Sequence, residues 1–151
     1  MRDNELLKNK LESIWGNSFN DVMKKSNINI RFKGRWKNKF GHIKKLKSGD
    51  SEIVINGYFK DNKVPDYIID LTIAHELVHY YHGFNSPLPK LYKHPHKGGV
   101  VNKELKKRGF GDLLKLEKKW IKEEWKKIIN EEFNNKKYNN SRFRPFRFKL
   151  F

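Results

Sequence analysis

The residues with the clearest chemical potential are His75, Glu76 and His79, which form the pattern H-E-x-x-H. Residues four apart lie one turn above each other on one face of an α-helix, so both imidazoles can reach the same metal ion. Glu76 would stand beside that ion as a general base. The spacing predicts a zinc hydrolase site. The structural alternative is a surface helix that carries these side chains on its solvent face.

The sequence around the motif predicts the helix that this chemistry requires. Apolar residues recur at helical spacing, Pro65 suits a first helical position, and Gly83 suits the residue just past the end. The motif therefore falls inside the helix. The recurring apolar residues are Ile68, Ile69, Leu71, Ile73, Ala74, Leu77 and Val78.

A catalytic zinc needs a third protein ligand from elsewhere in the chain. His82 lies seven residues after His75, roughly 10 Å along the helix axis, so one ion cannot bind both. The positions where a metzincin has Gly and His hold His82 and Asn85 instead. The third ligand is therefore expected in the loop and short helix further along. The candidates are His96 first, with His94 and Glu104 as alternatives.

The order of these features resembles the SprT-like zinc metalloprotease domain of the SprT and Spartan family, over most of residues 4–110. The shared features are an N-terminal amphipathic helix, a basic hairpin region with Trp36 and Gly41, a strand at 53–56, the motif helix and a helix opened by a histidine. The resemblance implies that His75, His79 and the later histidine bind Zn²⁺. It also implies an endopeptidase that acts on proteins at or crosslinked to DNA.

The chain departs from the family's pattern in two places. Members usually have His-Gly-x-x-Phe at the third ligand, whereas His96 is followed by Lys97 and has Val100 in the Phe place. If the pattern started at His94, Gly98 would stand in the Phe place, which favours His96 as the third ligand. The cysteine zinc ribbon of many members is also missing, because the chain has no cysteine.

Composition limits the other possibilities. A chain of 151 residues suits one domain, expected over 1–134 with a basic aromatic tail at 135–151, and we expect a monomer. The absence of cysteine excludes disulfides and thiolate ligands. No stretch has the length of a membrane span and the N-terminus has no signal-peptide core, so we expect a soluble, intracellular protein in the cytoplasm, nucleoid or nucleus that is not secreted.

The net charge of +17 predicts a polyanionic partner. Basic residues cluster at 31–47, 90–108 and 136–149. In the first cluster they alternate with Phe32, Trp36 and Phe40, which could offer stacking surfaces to single-stranded DNA. The structural alternative is that these aromatics face the core, which would leave only the charge for binding.

The periodicities predict an α+β, zincin-like single domain. A helix over 4–25 precedes three strands at 27–33, 39–47 and 51–59, which are expected to form a small antiparallel sheet. The motif helix, a short helix ending at Gly109 and a long amphipathic helix over 112–133 follow. The aromatic stripe of the long helix is expected to be core packing. By the resemblance, substrate would pair with 53–56 or the preceding hairpin.

Several supporting roles remain open at this level. Asp70 or Asn56 could orient a metal-bound histidine. The donor that stabilises an oxyanion could be Tyr80, Tyr81, Tyr92 or Lys93. The alternative function is a nucleic-acid-binding protein whose zinc is structural, and a closed site with four protein ligands would mark it.

Overall fold

The first helix, α1 (Asn4–Ser18), packs through Leu7 and Leu11, which lie one turn apart and are buried. Asp3 caps it by accepting a hydrogen bond of 3.0 Å from the backbone N–H of Leu6. The helix was expected to continue to residue 25 but ends at Ser18. Phe19 and Val22 keep the helical spacing, yet both reach the core from a turn. The computed structural model describes residues 1–137, without the side chains of 133 and 135–137, so most of the tail predicted at 135–151 lies outside the described residues.

The sheet has three strands, β1 (Ile28–Lys33), β2 (Gly41–Lys45) and β3 (Ser51–Asn56), in the order β1-β3-β2. The strand β3 is antiparallel to β2 but parallel to β1, so the sheet is mixed, and the prediction of an antiparallel sheet is wrong. The basic stretch 31–47 was expected at a sheet edge or in a hairpin. The hairpin is wrong, because β1 and β2 do not pair with each other, but both are edge strands of the sheet.

A buried asparagine explains this arrangement. The Asn56 side-chain amide donates to the carbonyls of Trp36 (2.6 Å) and Lys39 (2.9 Å), so the connection from β1 to β2 is held at the end of β3. The chain therefore passes the end of the central strand before β2 begins. Sequence periodicity reports which face a residue occupies and carries no signal for this crossing.

The motif helix, α2 (Asp66–Tyr81), lies inside the molecule. Its apolar residues are buried on almost every side, against β2 and β3 on one flank and helices on the others. Pro65 stands at the cap, one residue before its predicted place. Gly83 follows the helix with φ +84°, and a Cβ there would overlap the Pro89 carbonyl, so this position requires glycine.

The C-terminal part consists of α3 (Val100–Lys107), α4 (Gly111–Trp120) and α5 (Lys126–Lys137), with a π turn (Ile121–Trp125) joining the last two. The sequence predicted a short helix ending at Gly109 and one long helix over 112–133, and α4, the π turn and α5 follow one another without a break over that second range. The wider turn brings Trp120 and Trp125, five residues apart, onto the same side with ring centroids 5.6 Å apart. Trp125 is fully buried and its indole N–H donates to the Lys37 carbonyl at 3.0 Å. The prediction that the aromatic stripe of the long helix packs in the core is confirmed for Trp120 and Trp125, which are both buried.

The described part of the chain has no helix with the length and apolarity needed to span a membrane.

Candidate metal centre

Three histidines converge at the outer side of α2. His75 and His79 project from successive turns of the helix, with 3.1 Å between their Nε2 atoms. The Nε2 atom of His96 lies 3.0 Å from that of His79, and one nitrogen of each residue falls within 4.8 Å of the others. Two nitrogens bound to one zinc ion at tetrahedral angles are about 3.4 Å apart. The three histidines therefore lie close enough to bind one metal ion.

The segment between α2 and α3 brings His96 back to the helix. Its first turns are tied to the end of α2, where the backbone N–H of Phe84 donates to the His79 carbonyl at 2.9 Å. Further along, the N–H of Leu91 donates to the His82 carbonyl at 3.0 Å. Two buried residues of α3, Val101 and Leu105, then anchor the helix that begins four residues after His96.

The structure separates the three candidates for third ligand. His96 joins the cluster, whereas His94 lies in an exposed cleft with Tyr92, Lys93 and Lys97. Glu104 lies beside Arg108 instead, with 3.6 Å between its Oε2 and the arginine Nε. Within residues 1–137 the cluster contains no fourth histidine or carboxylate. Three protein ligands are the number that a catalytic zinc uses, since its fourth position takes water or substrate.

Glu76 is completely buried beside this cluster. Neither of its carboxylate oxygens has a hydrogen-bond partner among the described residues. Burial raises the pKa of this carboxyl to about 8, and the positive charge of Lys39 opposes the rise. A buried carboxyl without a partner costs stability unless something compensates it. A divalent cation next to it would do so, and the histidine nitrogens are suitable donors for one, so the residues present fit a metal ion.

The strand β2 packs against α2 on the face that carries Thr72 and Glu76, which lie one turn apart. Gly41, at the start of β2, packs so tightly on α2 that a Cβ would lie 3.0 Å from the methyl carbon of Thr72, one turn before Glu76. The Asn56 N–H donates to Phe40 O and the Leu46 N–H to Asp50 O, so residues 40, 42, 44 and 46 turn their backbone groups toward β3. Residues 41, 43 and 45 therefore turn theirs away from the sheet.

This geometry corrects the expected substrate strand. The strand at 53–56 belongs to β3, which is paired on both sides and cannot accept another strand. Of the two alternatives raised from sequence, only the preceding strand, β2, has an unpaired edge, and β2 packs against the helix that carries Glu76.

Lys39 is the residue that sequence reasoning missed. Its ammonium donates to Nδ1 of His42 at 3.1 Å and lies 4.3 Å from the centre of the Trp36 ring. It stands two residues before Gly41, and its charge acts on Glu76. Burial, together with the charges of Lys39 and Lys44, lowers the pKa of His42 to about 4, so this imidazole is neutral and accepts the lysine. The clue in the sequence was one lysine among eight basic residues at 31–47.

The other proposed supporting residues are mostly engaged elsewhere. Asn56 is used by the β1–β2 connection, and Asp70 accepts from Lys10 at 2.8 Å. The Tyr80 hydroxyl lies 3.2 Å from the backbone nitrogen of Ser26, on the side of α1 and β1. Tyr81 lies beside Arg108 and Tyr92 packs edge-on against His82, while Lys93 lines the exposed cleft that contains His94.

The basic stretch 31–47 offers fewer stacking surfaces than its sequence suggested. Phe32 and Phe40 are buried, and Trp36 is half-buried beneath Lys39. The segment around His96 is more open: Tyr92 is 45% exposed, and Lys90, Lys93 and Lys97 are exposed. The cluster predicted at 136–149 lies almost entirely outside the described residues.

No family model, curated protein or solved structure matches this chain.

Proposed function

We propose that the chain is a zinc-dependent endopeptidase that acts on proteins at or crosslinked to DNA. The observation that carries the proposal is the meeting of three histidine nitrogens with a buried, unpartnered Glu76 at the unpaired edge of a strand. Peptidases that use one zinc need these three elements: ligands, a base and a surface that holds an extended chain. The absence of a fourth protein ligand among residues 1–137 favours this function over a structural zinc site.

The chain's own residues divide the work as follows. His75, His79 and His96 would hold the ion, which supplies Lewis acidity for water and the scissile carbonyl. Glu76 accepts the proton of the attacking water and delivers it to the leaving amine. The backbone groups of Gly41 on the outer edge of β2 orient the substrate chain by pairing with it as an added strand. Lys39 supplies positive charge near the oxygen that becomes negative during attack.

The test replaces Glu76 by glutamine, which keeps the size and removes the base. Zinc per chain, measured by atomic absorption after dialysis, should stay near one, while cleavage of casein should be abolished. Glu104→Gln is the matched control, because it changes the alternative carboxylate ligand on α3 and should leave both zinc and cleavage unchanged. Peptidase activity that survives Glu76→Gln would remove Glu76 from this role.

The nucleic-acid part of the proposal rests on the exposed surface around Tyr92. This aromatic ring and the lysines at 90 and 93 precede His96, and Lys97 follows it, so a strand bound there would lie next to the metal centre. Exposed rings stack on bases and lysines contact phosphates without much sequence preference. Single-stranded DNA is therefore the partner that we propose.

The matching experiment compares two triple variants with the same change of charge. Alanine at Lys90, Lys93 and Lys97 should weaken binding of single-stranded DNA and reduce the slope of affinity against salt. Alanine at Lys118, Lys119 and Lys122, exposed residues of α4 and the following π turn, should change both much less. Equal effects would mean that net charge alone binds DNA. Casein cleavage with and without DNA then shows whether the two activities are linked.

A further inference from the structure

The outer edge of β2 is obstructed at one point by the side chain of Asn85. Its amide nitrogen donates to the Ile43 carbonyl at 3.1 Å. Ile43 is one of the residues whose backbone groups turn away from the sheet, so this carbonyl is one that an added strand would use. The amide thus occupies a position on the sheet's edge that belongs to the next strand.

The obstruction is steric as well as a matter of hydrogen bonding. Neighbouring strands lie about 4.8 Å apart. A group already 3.1 Å from the Ile43 carbonyl stands in that gap, so the backbone of an added strand cannot pass it. At Gly41, two residues earlier, no hydrogen bond from residues 1–137 covers the edge, and a substrate can exchange both of its backbone hydrogen bonds there.

The local backbone fixes Asn85 in this position. It has φ +55°, the left-handed conformation that asparagine tolerates better than most residues. Its carbonyl accepts a hydrogen bond of 2.7 Å from the Ser51 hydroxyl, which ties the turn to β3. The preceding residue, Phe84, is bonded to the carbonyl of His79. The obstruction therefore stands at a fixed distance from a proposed metal ligand.

We propose that Asn85 is a specificity-determining residue that ends the substrate-binding edge of β2 at Ile43. The inference rests on the proposed function, since it assigns a boundary to the same cleft. A substrate chain pairs with Gly41 and leaves the sheet at Ile43. Residues of the substrate beyond that point contribute no backbone pairing, so the cleft recognises the substrate mainly on the side of Gly41 and Lys39.

The test uses Asn85→Gly, which removes the amide and keeps a residue that adopts positive φ without strain. Ser51→Ala is the matched control, because it releases the same turn from β3 and leaves the amide in place. Asn85→Asp is a second variant that keeps the shape and removes the donor. Peptides lengthened one residue at a time from each terminus are compared by kcat/KM.

For the wild type and Ser51→Ala, we expect kcat/KM to stop rising on one side once the peptide reaches the residue opposite Ile43. For Asn85→Gly, one further residue on that side should raise kcat/KM by about three- to tenfold, the worth of a restored hydrogen bond. The same length dependence in all the variants would overturn the inference. A change shared by Ser51→Ala would overturn it too, because it would show that loosening the turn is sufficient.

Binding of the same peptides to the Glu76→Gln variants separates this inference from the proposed function. Fluorescence anisotropy of labelled peptides on zinc-loaded protein reports pairing without hydrolysis. One outcome is that the wild type cleaves no peptide while the affinity of Asn85→Gly still increases with one further peptide residue beyond Ile43. In that case the peptidase proposal fails and the role of Asn85 stands. If no peptide binds to any variant, the role of Asn85 fails.

Discussion

The two edges of the sheet differ in how space and chemistry are distributed. The β1 edge and helix α1 enclose a cavity of about 650 Å³, lined in part by Leu11, Trp15 and Ile30. None of the cavity's lining residues belongs to the histidine cluster. The β2 strand instead packs against α2, the helix that carries the buried carboxyl of Glu76. A large concavity is therefore a weaker guide to function in this fold than the convergence of polar groups.

Both edges are covered at one point by a side-chain amide. On β1, the Asn4 oxygen accepts from the backbone N–H of Phe32 at 2.9 Å. On β2, the Asn85 nitrogen donates to the carbonyl of Ile43 at 3.1 Å. Such groups protect an edge strand from unwanted pairing. The difference between the edges is that a β2 edge partly left open lies beside the candidate metal centre.

The largest effect should come from removing His96, the histidine of the cluster that lies outside α2. His96→Ala leaves two ligands on α2, so zinc binding should weaken by orders of magnitude and peptide cleavage should be lost. His94→Ala, two residues away and outside the cluster, is the control and should keep one zinc per chain. Zinc titration followed by a cleavage assay measures both. If His94→Ala loses zinc instead, the assignment of the third ligand is wrong.

A smaller effect is expected from Lys39→Met, which keeps most of the side-chain volume and removes the charge. If Lys39 supports the developing negative charge, kcat should fall by about ten- to a hundredfold with little change in KM. Since the charge of Lys39 helps to lower the pKa of His42, this pKa should rise from about 4 toward its ordinary value, which NMR titration can follow. Lys8→Met, in the cavity beside β1, is the control.

The outcome for kcat decides whether the cation belongs to the chemistry. A rise in the pKa of His42 with unchanged kcat would show that Lys39 only shapes the loop around Trp36. Equal losses in Lys8→Met and Lys39→Met would break the contrast between the edges, because both variants remove one charge from a chain of net charge +17.

Much of the candidate site could be predicted from the sequence because it depends on local spacing. The placement of His75, Glu76 and His79 follows from the helical repeat, and Gly83 marks the end of that helix. His96 was favoured for third ligand, and the structure brings it into the cluster. The approach of His96 to the histidines of α2 depends on the path of a loop, which periodicity does not describe. His94 and Glu104 therefore remained alternatives for the third ligand.

The features that the sequence did not predict are non-local. The parallel pairing of β1 with β3 depends on Asn56 holding a loop that begins 22 residues earlier, at Gly34, past the end of the sheet. The π turn at Ile121–Trp125 depends on a core that accepts two tryptophans five residues apart. Lys39 was one basic residue among many until the fold brought its charge within range of Glu76. Tertiary contacts decided each of these cases.

Two glycine substitutions compare how tightly each edge is packed. In Gly41→Ala the new Cβ would lie 2.7 Å from the Val54 carbonyl and 3.0 Å from the Thr72 methyl carbon, so β2 must shift away from α2. We expect a loss of about 1–3 kcal/mol in the free energy of unfolding and a lower kcat/KM. Gly16→Ala, on the wall of the β1 cavity, meets no atom within 4 Å and should stabilise α1 by about 0.5–1 kcal/mol.

Chemical denaturation and peptide kinetics on both variants test this packing contrast. If Gly41→Ala keeps its stability and activity, β2 does not lie against the motif helix as closely as the fold requires. If Gly16→Ala lowers activity, the β1 cavity takes part in the function.

A small effect on stability and none on catalysis should come from the amide on the β1 edge. Asn4→Ala leaves the N–H of Phe32 without its partner, so the free energy of unfolding should fall by about 1 kcal/mol in urea denaturation. Because β1 lies on the far side of β3 from Glu76, the dependence of kcat/KM on peptide length should match that of the wild type. Asn85→Gly should differ by an altered length dependence, whereas its loss of stability should be similar, because its hydrogen bond to Ile43 is part-buried like that of Asn4. If Asn4→Ala also alters the length dependence, both amides limit the pairing of peptides with an edge strand, and peptide pairing is not confined to β2.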